Sequence, residues 1–179
     1  EMKDIKEKVR QHLISGDYFF GKKEKKTIDR EKLKKDIHKA IDYIATFERV
    51  SLSHEEKERM AGDLMDEVIG FGPLSSLLDD PTVTEIMVNG PDVVYAEKNG
   101  KMILTDIKFD SHRHLMQTIE KIIAPSQRRV DESSPYVDGS LPDGSRVNII
   151  LPPLSLIGPV ITGRKFLGEI ATIEDLINR

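Results

Sequence analysis

The spacing of apolar residues changes at Pro81, and that change restricts the chain to a small set of folds. Upstream, apolar side chains recur every three or four residues. Downstream they come in short β-rich runs punctuated by Gly, Pro and Asn-Gly turns. Ile5, Val9 and Leu13 make one stripe on a helix expected from Met2 to Leu13, closed by Gly16-Asp17. A long helix is expected from Asp29 to about Arg49, carrying Leu33, Ile37, Ile41, Ile44 and Phe47. Ser53-His54-Glu55-Glu56 has the pattern of an N-cap with acidic first-turn residues, opening a helix to about Ile69 with the stripe Met60, Leu64 and Val68. Gly70-Phe71-Gly72-Pro73 breaks it, and Leu74 to Leu78 adds one short turn.

Beyond Pro81, Val83–Val88 reads as a strand ending at Asn89-Gly90-Pro91. Val93–Glu97 and Met102–Leu104 flank Lys98-Asn99-Gly100-Lys101, the pattern of a type I′ hairpin. Ser111 caps a helix through Ala124, stopped by Pro125. A second hairpin joins Tyr136–Leu141 to Arg146–Leu151 across Pro142-Asp143-Gly144-Ser145, and Pro159–Phe166 is a further strand. Thr172 to Asp175 has a capping-box spacing that starts a last helix. Helices followed by strands interrupted by one helix describe an α+β fold, with a mostly antiparallel sheet and flanking helices.

Charge divides the chain in the same sense. Residues 1–40 hold 13 Lys and Arg against 8 Asp and Glu, while the remainder holds 14 against 23. The basic N-terminal piece therefore reads as a distinct element, either a solvated helix face or a partner surface. Tyr18-Phe19-Phe20, followed by Lys22-Lys23-Glu24-Lys25-Lys26, reads as a linker or as a short aromatic anchor. The chain has no cysteine, which excludes disulfides and thiolate metal sites and fits a cytoplasmic protein. It also has no tryptophan and few aromatics, which weakens a stacking platform for nucleic acid.

The arginines are the best chemical candidates. Arg146 follows the Asp-Gly turn at the opening of an apolar strand, Arg164 lies in Thr162-Gly163-Arg164-Lys165-Phe166, and Arg128-Arg129 follow Pro125. A guanidinium stays charged at physiological pH and presents a planar fork suited to phosphate. The plain alternative is pairing with a local carboxylate such as Asp131, Glu132 or Asp138. No Gly-rich loop accompanies these cations. Gly21-Lys22-Lys23 and Gly100-Lys101-Met102 lack both the upstream glycine and the following Ser or Thr of a P-loop. Adjacent carboxylates at Asp79-Asp80 and Asp131-Glu132 diverge rather than converge. His112 and His114 are not on one helix face, and no metal site is expected. Gly-x-Ser-x-Gly is absent. The residues alone describe a phosphate-facing or ligand-binding module without its own catalytic set.

Four ordered motifs carry a resemblance. Gly70-Phe71-Gly72-Pro73-Leu74, the run from Asp80 to Gly90, the run from Arg128 to Pro135 and the run from Leu141 to Asn148 are similar to the N-terminal domain of type II/IV secretion ATPases. Within that family the chain resembles the CpaF/TadA branch, which powers Flp (tight-adherence) pilus assembly. The resemblance covers about residues 62–179 and implies a PAS-like N-terminal domain. It divides the chain into a charged helical region at 1–60, an α+β domain at 61–167, and the start of a linker at 168–179 to an absent RecA-like core. Members are homo-hexameric motors whose core binds ATP and Mg²⁺. The resemblance thus implies a chain inactive alone, cytoplasmic and peripheral at the inner membrane, with platform proteins as partners and no specific nucleic acid. Arg146 and Arg164 fall where family arginines close over the nucleotide, with Arg128 and Arg129 as possible supports. One departure is Gly163, where relatives usually carry an apolar β residue; glycine loosens that strand beside Arg164. Two other readings compete: an interaction module binding a platform protein or anionic surface through the basic helices, and a PAS-like ligand sensor.

Overall fold

In a computed structural model of the chain, residues 2–16 and 29–166 are described. The aromatic cluster at 18–20, the basic run at 22–26 and the last helix and linker from 168 lie outside them. The chain divides into two units, Glu1–Ser75 and Ser76–Arg179. That division lies beyond the 60/61 boundary expected, because the third helix shares one apolar core with the first two.

The first unit holds α1 (Met2–Ser15), α2 (Arg30–Phe47) and α3 (His54–Ile69). Its core joins Ile5, Val9 and Leu13 of α1 to Leu33, Ile37 and Ile41 of α2 and to Met60, Leu64 and Val68 of α3. Local chemistry sets the starts. The Asp29 carboxylate accepts from the Glu31 and Lys32 N–H groups. Ser53 Oγ accepts from Glu56 N–H at 3.2 Å, as the expected N-cap, and Ser53 N–H donates to the Glu56 carboxylate at 2.7 Å, which makes the cap a full capping box. The Ser53 backbone and hydroxyl also hold the Glu56 carboxyl below its ordinary pKa. Phe47 departs from expectation. It is exposed, because α2 buries Ala40, Ile41 and Ala45 instead. A 3-10 turn at Gly72–Leu74 leads into the short α4 (Ser75–Asp79). Among the described residues, no helix is long and apolar enough to cross a membrane.

The second unit is built on β1 (Val83–Asn89), β2 (Val94–Lys98), β3 (Lys101–Leu104), β4 (Tyr136–Ser140), β5 (Arg146–Ile150) and β6 (Val160–Arg164), with α5 (His112–Ile123) between β3 and β4. The strands form one antiparallel open sheet in the order β3-β2-β1-β6-β5-β4. The β2–β3 turn places Asn99 at φ 52° and Gly100 at φ 73°, as a type I′ hairpin requires.

Period-two alternation gives the sheet two unlike faces. One carries Ile86, Val88, Val94, Ala96, Val137, Val147, Ile149 and Ile161, all buried. On the helix beside β4, Leu115, Ile119, Ile122 and Ile123 of α5 are buried as the sequence pattern requires. The opposite face is half-buried to exposed, and the fold is α+β.

Candidate functional site

The polar face of the sheet carries the arginines. Registers across four strand pairs put Ser140, Arg146, Arg164, Glu85 and Glu97 in a single row, each directly opposite the next. Arg146 and Arg164 are therefore immediate cross-strand neighbours. Two like charges in that arrangement repel, by an amount on the order of 0.2–1 kcal/mol.

The backbone beneath this pair is firmly held. Pro142, Asp143 and Gly144 form a three-residue hairpin loop, with Leu141 N–H donating to Ser145 O at 2.8 Å and Gly144 N–H to Leu141 O at 2.9 Å. Gly144 sits at φ 87°, a left-handed conformation that costs glycine little, and a Cβ there would meet the Phe166 ring at 3.5 Å. The Asp143 carboxylate accepts from Ser145 N–H at 2.8 Å. The buried Ser145 hydroxyl accepts from Phe166 N–H at 3.2 Å, tying the end of β6 to the start of β5. Lys165 then donates to the carbonyls of Asp80 at 2.6 Å and Leu77 at 3.3 Å. Arg146 follows one anchored residue and Arg164 precedes another. Gly163 does not leave this stretch untethered, since β6 pairs on both sides with β1 and β5.

The side chains themselves stay open. Arg146 is 78% exposed, with Nη2 3.7 Å from the Asp138 carboxylate, and Arg164 is 80% exposed, with Nε 3.5 Å from Glu85. Such surface contacts contribute roughly 0–1 kcal/mol and leave most of each fork available. Arg128 takes a different role: its Nη1 donates to the backbone carbonyl of Asp138 at 2.8 Å, bracing the edge strand β4. Arg129 is exposed, and its charge helps hold the Asp131 carboxyl below the ordinary range, after hydrogen bonds from Ser133 and Ser134. The structure thus brings Arg146 and Arg164 together, attaches Arg128 through the residue that faces Arg146, and directs Arg129 to its own loop.

Two other sequence candidates resolve as structure. His114 is buried against Phe109, with ring centroids 5.3 Å apart, and its Nδ1 accepts from Asp110 N–H at 3.1 Å. Asp80 anchors the turn before β1, accepting from Thr82 N–H and hydroxyl and from Lys98 Nζ at 2.7 Å. Glu85 was not foreseen as a partner of Arg164. Only the β1–β6 register makes them neighbours, although Glu85 and Met87 alternate with buried Ile86 and Val88 as surface positions should.

The face so described is a solvent-facing pair of forks on a tethered backbone, and no loop among the described residues wraps them. It can complete a phosphate site whose remaining donors come from elsewhere.

A family model described as type II/IV secretion system protein matches residues 67–167. Among curated proteins, an uncharacterized protein of Methanocaldococcus jannaschii is 32% identical over 132 residues, covering 73% of this chain and 24% of that protein. The type IV secretion system protein VirB11 of Brucella suis is 30% identical over 104 residues, covering 58% of this chain and 29% of that protein. Among solved structures, the VirB11 ATPase from the Brucella suis type IV secretion system, in complex with sulphate, matches with a TM-score of 0.55. It is 28% identical, and the match covers 59% of this chain and 32% of that one. The chain thus matches under a third of each of these proteins.

Proposed function

The chain belongs to the type II/IV secretion system protein family, as an N-terminal domain of its secretion ATPases, and we propose on that premise that it closes over nucleotide in a hexameric motor of the CpaF/TadA type. In this reading a RecA-like core supplies the P-loop and the Mg²⁺ ligands and seats ATP. Arg146 and Arg164 then descend on the phosphates, with Arg128 fixing the strand beside them and Arg129 at the margin. Hydrolysis coupled to that closure drives Flp pilus assembly or protein secretion against platform proteins at the inner membrane.

The observation that supports this reading is the direct opposition of Arg146 and Arg164 on a braced, open face. Two repelling guanidinium groups gain by sharing an anion, and more so as charge develops on a transferring phosphoryl group. A cation that arrives only on closure links the chemical step to domain movement.

The test uses the protein containing both this domain and a core. Arg146→Ala should lower kcat by about 100-fold or more, on the scale known for cations that stabilise phosphoryl transfer. Equilibrium ATP binding should weaken only a few-fold, because the core holds most of the nucleotide. Equal losses in turnover and binding would show that the arginine has no role specific to the transition state.

A further inference from the structure

The helical unit carries a second surface that nucleotide closure does not use. Lys8 of α1 reaches Glu48 just beyond α2 at 2.5 Å, and His12 lies against Tyr43 with ring centroids 5.8 Å apart. The two helices therefore run antiparallel, and near the end of α1 they leave an open groove of about 410 Å³. Buried Leu13 and Ala40 form its floor; His12, Asp36, Lys39 and Tyr43 form its rim.

One exposed stripe of α2 extends this groove. Tyr43 is 60% exposed and Phe47, one turn on, 73% exposed. On the same stripe, at helical spacing, lie Lys32, Lys35 and Lys39. Lys32 and Lys35 form no ion pair among the described residues, and Lys39 stands 4.0 Å from Asp36 with its side chain 80% exposed. The surface thus combines a small apolar floor, two rigid aromatic side chains and a row of open cations.

We infer that this groove docks an acidic amphipathic helix of a partner protein. An apolar side chain of that helix seats on Leu13 and Ala40 between His12 and Tyr43, and its carboxylates face Lys32, Lys35 and Lys39. Concavity favours a helix over a lipid surface, since a bilayer cannot fill a recess between two helices. Aromatic residues give area at low entropic cost, while the lysines set charge preference and orientation.

The test is an NMR titration of the 179-residue chain with a capped synthetic helix bearing leucine on one stripe and glutamate on the flanks. Amide shifts should centre on residues 12–16 and 36–47. Tyr43→Ala and the pair Lys35→Glu with Lys39→Glu should each weaken binding by about tenfold or more. The pair Lys101→Glu with Lys108→Glu, an equal change of charge at exposed positions of the sheet unit, should leave it unaltered. The Tyr43 and lysine positions are exposed, so thermal melts of these variants should match the parent. Shifts scattered away from the groove, equal binding by all variants, or no binding of the glutamate helix would each overturn the inference. Binding to phosphatidylglycerol vesicles in place of the peptide would overturn it in favour of a membrane surface.

Discussion

Arg10 of the helical unit and the Arg146–Arg164 pair of the sheet unit are placed in opposite ways. In the helical unit Arg10 is wholly buried, and its Nε and Nη2 donate to the Glu67 carboxylate at 2.6 and 3.0 Å. Glu7, one turn earlier on α1, also accepts from it. In the sheet unit Arg146 and Arg164 stand in the open, opposite one another, with carboxylates only at the edge of contact. Both settings follow from register. On α1, Arg10 follows core-facing Val9 and meets α3; on the sheet, alternation turns the arginines to the face away from the core. The first arginine is satisfied within the fold, whereas the other two keep most of their donors open to solvent.

The sharpest way to break this contrast is at Arg10. Arg10→Ala removes the partner of a carboxylate that remains buried, which costs about 3–5 kcal/mol. Replacing both partners with Arg10→Met and Glu67→Leu should recover most of that loss, because no uncompensated charge is left inside. Urea titration followed by helical circular dichroism measures both. A loss below about 1 kcal/mol for the single change would mean that water reaches Glu67 and that the pair is not enclosed.

Acid offers a second, weaker probe, this time within the sheet unit. Asp80 is a well-satisfied carboxylate: Lys98 first, and then Thr82 through hydroxyl and N–H, hold its carboxyl far below the usual 3.8. A depressed pKa in the folded state contributes stability that is fully present above the unfolded value and is lost as pH falls below it. Asp80→Asn should therefore lower the melting temperature at neutral pH. The difference between variant and parent should close as pH drops below 3.8. A difference that stays constant across that range would assign the effect to turn geometry rather than to charge. The group is half-buried and not enclosed as Arg10 is, so the change should be smaller than at Arg10.

These cases also show what the sequence could tell. The Ser53–Glu56 box, the Asn99-Gly100 turn and the Asp143-Gly144 loop are legible because each acts within five residues, where side-chain chemistry decides the backbone. The two sheet faces are legible from alternation. Arg10 with Glu67 was not, since the partners are 57 residues apart and the α1 stripe names a face without naming what covers it. The division at Ser75/Ser76 is illegible for the same reason: the Met60, Leu64 and Val68 stripe is visible, but its membership in the first core is a tertiary fact. Arg146 and Arg164 were identified one by one as phosphate-facing. Their opposition depends on β5–β6 register, set across the loop at 151–159, whose Pro, Leu and Gly residues do not encode a pairing.

The smallest expected effect tests the open pair most directly. Arg146→Gln removes the weak contact to Asp138, worth roughly 0–1 kcal/mol, and also the repulsion from Arg164, of similar size and opposite sign. The two nearly cancel, so stability at low salt should stay within about 0.5 kcal/mol of the parent. Near 1 M salt, where charge interactions are screened beyond about 3 Å, even that residue of difference should fade. A loss above about 1.5 kcal/mol that salt does not alter would mean that Arg146 is built into the fold as Arg10 is. Salt-sensitive near-neutrality is what remains when a fold holds two charges in place without satisfying either, as the proposed closure over a phosphate requires.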